Sequence, residues 1–298
     1  MKTKYRFDHD PFIVKQGKKF RLKDQDTAYT GEINDKKEAR KALFDDVSHL
    51  ASAQELLWAS RQKSVLIIFQ AMDAAGKDGT IKHVMSGVNP QGCSVFSFKA
   101  PTEEEKLHHF LWRPMKVLPE AGRIAIFNRS YYEEVLVVRV HPEFLEGQVL
   151  QKKPVKDNYK PLWKARYRQI NEFERYMANN GTCIIKFFLH ISKQEQKKRF
   201  LQRLDDKNKQ WKFSDADVHE RSRWEEYQQV YEDMLNATST DTSPWYVIPA
   251  DKKWFARALV ADIITARISG LRLRYPRVSE HQRESLMQAK TILEEEEN

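Results

Sequence analysis

The sequence predicts an α/β protein built on a parallel sheet covered by helices on both faces. Two observations carry that expectation. Short continuous apolar runs, such as Ser64-Val65-Leu66-Ile67-Ile68-Phe69, have the length and uniformity of strands buried on both sides. They alternate with longer amphipathic stretches, the order that parallel crossover connections require. The chain has 298 residues and no linker rich in Gly, Pro or Ser, so the expected organisation is an N-terminal arm over residues 1–35 and one domain over 36–298.

The elements follow in order. Residues 1 to about 34 are polar and rich in turn formers. From Lys36 to about Ser60, Leu43, Val47, Leu50 and Leu57 fall on one helical face. After the first strand and the turn Gln70 to Lys77, a helix begins around Thr80-Ile81-Lys82-His83-Val84-Met85. Cys93 to Phe98 reads as a second strand. Thr102-Glu103-Glu104-Glu105 has the form of a capping box and predicts a helix to about Trp112. Arg123 to Phe127 and Thr182 to Leu189 are further strands, separated by a helix from Pro161 to Asn180 that Gly181 stops. Ser192-Lys193-Gln194-Glu195 opens a basic helix to about Leu204. Another runs from Ser214 to about Leu235, Trp245 to Ile248 is the last strand, and helices follow from about Lys252 to Ile268 and in the tail.

Composition narrows the function. No apolar run approaches the roughly 18 residues of a membrane span, and Met1 to Asp8 lacks the apolar core of a secretory signal. The two cysteines, Cys93 and Cys183, sit in strand-like runs without metal-ligand spacing, as reduced thiols do. A cytoplasmic location is expected. The formal net charge of +9 implies a polyanionic partner. An aromatic–glycine RNA motif, a zinc finger and a basic zipper are all missing, so neither nucleic acid nor membrane is the expected partner.

The most informative segment is Ala71-Met72-Asp73-Ala74-Ala75-Gly76-Lys77-Asp78-Gly79-Thr80. A P-loop follows a buried strand, opens a helix and has the pattern G-x-x-x-x-G-K-[ST]. Small residues at Ala74, Ala75 and Gly76 allow backbone amides to close on phosphate oxygens. The helix start and Lys77 add positive charge, and Asp78, Gly79 and Thr80 complete the cradle. Ala71 stands where the first glycine belongs, and Asp78 where the hydroxyl residue belongs. Asp73 inside an anion site would repel phosphate unless a divalent cation lay between them, which makes it the candidate metal ligand. On the loop alone, a tight Gly-Lys turn capping an ordinary helix stays open.

A second strand end delivers Asn128-Arg129-Ser130-Tyr131-Tyr132-Glu133-Glu134 to the same sheet edge, where parallel α/β proteins bind ligands. Asn128 occupies the place of a metal-orienting aspartate, and Glu133 or Glu134 can compensate its missing charge. Arg129 can brace a phosphoryl group. A surface ion pair at a strand end is the alternative.

With both segments read, the chain resembles the polyphosphate kinase 2 family. The resemblance runs through Asp73 to Ile81, Phe110-Leu111-Trp112-Arg113 and Phe127 to His141, then Lys198-Arg199-Phe200-Leu201, Trp211-Lys212-Phe213-Ser214 and Trp224-Glu225-Glu226-Tyr227. It implies a fold like that of thymidylate kinase with a helical lid, here at about 193–225. The implied reaction moves phosphoryl groups reversibly from inorganic polyphosphate to nucleotides with Mg2+, or Mn2+, in a homo-oligomer (dimer or tetramer). Asn128 with Glu133 looks like the class that accepts both AMP and ADP. The resemblance assigns catalysis to Asp73, Lys77 and Arg129, and polyphosphate binding in the lid to Arg199, Arg203, Lys207 and Lys212. An ATP-dependent nucleoside monophosphate kinase is the alternative enzyme. Trp112 and Trp224 are expected in the core.

Overall fold

The computed structural model describes residues 6–31, 33, 35–150 and 158–296; residues 1–5, 32 and 34 of the expected arm and Glu297 of the acidic end lie outside them. Five strands form one sheet: β1 (Ser64–Ala71), β2 (Cys93–Ser97), β3 (Ile124–Asn128), β4 (Thr182–His190) and β5 (Trp245–Pro249). Their order is β2-β3-β1-β4-β5, and every neighbouring pair is parallel. The central strand β1 is buried at every position, as its unbroken apolar run requires. Its partners β3 and β4 put three strand ends side by side at one edge.

The helices are α1 (Lys36–Ser60), α2 (Lys77–Val84), α3 (Glu103–Lys106), α4 (Trp112–Met115), α5 (Val137–Val140), α6 (Lys160–Asn179), α7 (Lys193–Asp205), α8 (Asp215–Ser222), α9 (Trp224–Thr238), α10 (Lys253–Ser269) and α11 (Glu280–Glu295). Successive strand residues face opposite ways, so β4 shows which helices cover which face. Lys186 reaches Glu174 on α6, whereas Arg267 on α10 donates to the Cys183 sulfur at 3.8 Å. Thus α6 and α9 lie on one face, and α10 with α1 and α2 on the other. Among the described residues no helix is long and apolar enough to cross a membrane.

Three expectations need correction. The helix expected from Glu103 to Trp112 is a single turn that stops at Leu107. Its capping box forms, but Leu107 is exposed, so no apolar stripe holds further turns against the body. The helix expected from Ser214 to Leu235 is two helices broken at Arg223. No residue of α8 is buried, while Trp224, Tyr227 and Tyr231 of α9 lie in the core, so the chain turns where the buried stripe starts. Of the two tryptophans expected in the core, Trp224 is buried, but Trp112 is half-exposed and stacks on His108 with ring centres 3.9 Å apart.

The described part of the arm packs on the body through Phe12, Val14 and Leu22, and Ile13 bridges Tyr246 of the edge strand β5. Asp262 of α10 receives the amides of Arg6 and Phe7 and the His9 ring, the last at 2.7 Å. Asp46 of α1 lies nearby, with one carboxylate oxygen lacking a hydrogen-bond partner among the described residues. Burial first, and the Asp262 charge second, push its pKa up from 3.8 to about 7.

That shift has a sign. The native state holds the Asp46 proton more tightly than the unfolded chain, so the contribution to stability is present below the unfolded pKa and is lost as pH rises through about 4 to about 7. Thermal unfolding at a series of pH values should show stability falling over that window, and Asp46→Asn should flatten the fall. An unchanged pH profile in the variant would refute the assignment.

Candidate active site

The phosphate loop leaves β1 at Ala71 and enters α2 at Lys77. Two residues take left-handed backbone, Ala74 at φ 60° and Gly76 at φ 105°. Gly76 suits that geometry because it has no Cβ; Ala74 bears strain. The first hydrogen bond of the helix runs from the Thr80 amide to the Gly76 carbonyl at 2.9 Å. The preceding first-turn amides of Lys77, Asp78 and Gly79 have no acceptor within the helix, and with the helix dipole they form a site for anionic oxygen.

The carbonyls of the same loop point inward. Gln196 donates its side-chain amide to the Asp73 carbonyl at 3.0 Å. Arg199 donates to the Ala74 and Ala75 carbonyls at 3.1 and 2.8 Å, and to those of Ala250 and Asp251 at 2.6 and 3.0 Å. Its remaining N–H meets Glu195 at 2.8 Å. Arg199, expected in the lid among the polyphosphate-binding residues, is therefore a buried brace beneath the loop. The basic stretch misled because charge is visible in a sequence and burial is not. The capping box expected at Ser192 is half-formed for the same reason: Ser192 caps the Glu195 amide, but the Glu195 carboxylate turns to Arg199.

The strand ends bring the other expected residues together. Arg129, at φ 65°, donates to Asp73 Oδ1 at 2.8 Å and approaches Glu133 at 3.9 Å. The Glu133 carboxylate raises its pKa beyond the ordinary arginine value against the effect of burial, with Asp73 adding. Asn128 donates to Asp78 Oδ1 at 2.8 Å. Burial raises the pKa of Asp78, but that hydrogen bond and the Lys212 and Lys77 charges outweigh it and leave it low. Lys77 is nearly buried, with Nζ on the Ala71 carbonyl at 3.0 Å. Burial and the Arg129 charge lower its pKa. Glu133 moves the opposite way, raised by burial despite Arg129 and Lys77. Glu134 points elsewhere, pairing with Arg166 at 3.1 Å. Glu133 alone of the two glutamates belongs to the site.

The other basic residues of the expected lid are exposed to different degrees. Lys212 lies 3.7 Å from Asp78, Arg203 meets the Lys212 carbonyl and Asp217, and Lys207 is exposed. Sequence reading missed Gln196 and also Arg257, whose guanidinium would stand 3.2 Å from a Cβ added at Gly79. Gln196 was detectable only as a polar neighbour of Arg199 one turn earlier on α7.

Among the described residues no three His, Cys, Asp or Glu side chains gather around a metal position. A single loop carboxylate, Asp73, suits a hard cation that takes its remaining ligands from phosphate and water, as Mg2+ does. Beside the site, Glu134, Gln148 and Arg166 line a cavity of about 850 Å³ whose other walls include Phe110, Leu111 and Leu162. Arg166 is fixed there by the Glu134 carbonyl at 2.7 Å and Gln148 at 2.6 Å, and its guanidinium lies over the Phe110 ring.

The family model described as polyphosphate kinase 2 matches residues 33–274. An ADP-polyphosphate phosphotransferase of Rhodopseudomonas palustris is 48% identical over 283 residues, covering 95% of this chain and 97% of that protein. An AMP/ADP-polyphosphate phosphotransferase of Meiothermus ruber is 45% identical over 266 residues, covering 89% and 94%. Among solved structures, a polyphosphate kinase 2 from Arthrobacter aurescens superposes with a TM-score of 0.84 at 38% identity, covering 94% of this chain and 96% of that one.

The brace gives a contrast on α7. Lysine at position 199 cannot reach four carbonyls, so Arg199→Lys should cost about 2 kcal/mol in urea unfolding. Arg203→Lys, on the more open part of the helix, should stay within about 0.5 kcal/mol. Equal losses in the two variants would contradict the distinction.

Proposed function

Because the chain belongs to the polyphosphate kinase 2 family, we propose that this phosphotransferase moves phosphoryl groups from inorganic polyphosphate to both AMP and ADP, giving ADP and ATP reversibly. The observation that carries the reading is the convergence of Lys77 and Arg129 on the mouth of an amide-lined loop, with the Asp73 carboxylate beside them. No side chain there is an evident nucleophile, which favours direct in-line transfer. A terminal phosphate oxygen of the acceptor bonds to the end phosphorus of the donor as the bond to the shortened chain breaks. Catalysis of this kind needs positioning and charge neutralisation more than covalent help.

The free first-turn amides of Lys77, Asp78 and Gly79 cradle the donor on the scaffold of Ala74 and Gly76; the amides of Ala75 and Thr80, expected in the cradle, instead bond the Met72 and Gly76 carbonyls. Lys77 and Arg129 neutralise the transferred group. Asp73 would hold a divalent cation such as Mg2+, which would supply further charge neutralisation. Asn128 and Glu133 set which acceptor fits, since an amide at 128 lowers the negative charge facing incoming phosphates. The cavity beside Glu134 has the size and mixed lining of a nucleoside pocket. Arg203, Lys207 and Lys212 belong to the lid over 193–225, which closes on the polyanion and excludes water. Cytoplasmic placement and a homo-oligomer complete the reading.

Purified protein supplied with polyphosphate, Mg2+ and either AMP or ADP tests it by chromatography of the products. ATP should form from both acceptors, through ADP when AMP is given; ADP accumulating from AMP without ATP would restrict the acceptor class. Lys77→Ala and Asp73→Asn should each lower turnover at least about a hundredfold, given that one charge-stabilising group contributes roughly 3–4 kcal/mol and 1.36 kcal/mol is tenfold. A tenfold or smaller loss would remove the assigned role. Chelation by EDTA should abolish turnover and added Mg2+ restore it.

A further inference from the structure

Behind the strand end lies a buried network that no step above uses. Glu174 of α6 is almost wholly buried, and its Oε1 accepts both tyrosine hydroxyls that follow Arg129 and Ser130, Tyr131 at 2.8 Å and Tyr132 at 2.6 Å. Its Oε2 accepts the Lys186 ammonium at 2.6 Å. Lys186 is fully buried in β4, and it also donates to Tyr132 at 3.0 Å and to the Thr238 carbonyl at 2.7 Å. Burial foremost, with the Glu174 charge, raises both tyrosine pKa values well above the ordinary, so the hydroxyls stay protonated donors.

The network bears on one strained residue. Arg129 has left-handed backbone, which a non-glycine residue keeps only where its surroundings fix it. On its near side its amide is held by the Phe69 carbonyl at 3.1 Å. On its far side Ser130 caps the Tyr132 amide, and the two tyrosines anchor to Glu174. The same short turn ends in Glu133, the second carboxylate facing Arg129.

We infer that Glu174, fixed by Lys186, is a positioning residue for phosphoryl transfer: it clamps Tyr131 and Tyr132 and thereby holds Arg129 in its strained backbone, aimed at Asp73. The inference rests on the polyphosphate-kinase reading and extends it to a group that never touches substrate.

Two double variants test it in the full-length protein, with polyphosphate, ADP and Mg2+. Glu174→Leu with Lys186→Met removes both buried charges together, a change that typically leaves folding intact. Tyr131→Phe with Tyr132→Phe removes only the hydroxyls. Each should lower kcat about tenfold or more while KM for ADP stays within about threefold and the thermal midpoint of the folded protein is kept. In an Arg129→Ala background the same changes should cost almost nothing further, because they act through Arg129. Folded variants with kcat within about twofold of wild type, or losses that multiply with that of Arg129→Ala, would overturn the inference while the functional reading stands. A wild-type protein that makes no ATP would overturn both.

Discussion

A loop that turns its amides outward must put its carbonyls somewhere, and in this protein two of them go into one arginine. Ala74 and Ala75 turn their oxygens down onto Arg199, and Asp73 turns its own onto Gln196. An unpaired buried carbonyl is costly, so the outward set of the amides is no more stable than the inward set of donors. The same guanidinium holds the Ala250 and Asp251 carbonyls after β5. One side chain therefore ties the phosphate loop to the far edge of the sheet, and the geometry of the mouth follows from it.

Above that brace, the cations and anions of the site are already paired. Arg129 rests on Asp73, Lys77 on the Ala71 carbonyl, and Lys212 near Asp78. These pairings spare the mouth desolvated, unpaired charge. The opposite shifts at Lys77 and Glu133, one lowered and one raised by burial, mark the same low-dielectric mouth.

The sheet was legible because its strands are continuous apolar runs, and the loop because glycine, lysine and small residues sit between one such run and a helix. The family assignment rested on ordered motifs and agrees with the comparisons. Side-chain direction was not legible. Glu133 and Glu134 are equal in sequence, yet one faces the loop and the other Arg166. Arg199 and Arg203 lie one turn apart on one helix, yet the first is a buried brace and the second is partly exposed, bonded to Asp217 and the Lys212 carbonyl. The helix at Glu103 ends after one turn, because a good cap says where a helix starts and nothing about what holds its later turns. One signal was present and unread: Lys186 stands inside Ile184-Ile185-Lys186-Phe187-Phe188, where a lone charge needs a buried partner.

The parallel sheet also sets the order in which the molecule can be made. β1 pairs with β3 at Ile124 to Asn128 and with β4 at Thr182 to Leu189, so the central strand waits for partners synthesised long after it. Nonlocal parallel pairing of this sort forms slowly. The brace comes later still, since Arg199 needs the carbonyls of Ala250 and Asp251. During synthesis the nascent chain thus carries the loop sequence before the partners that fix its shape exist. The mouth of the loop is therefore set by residues made well after the loop itself.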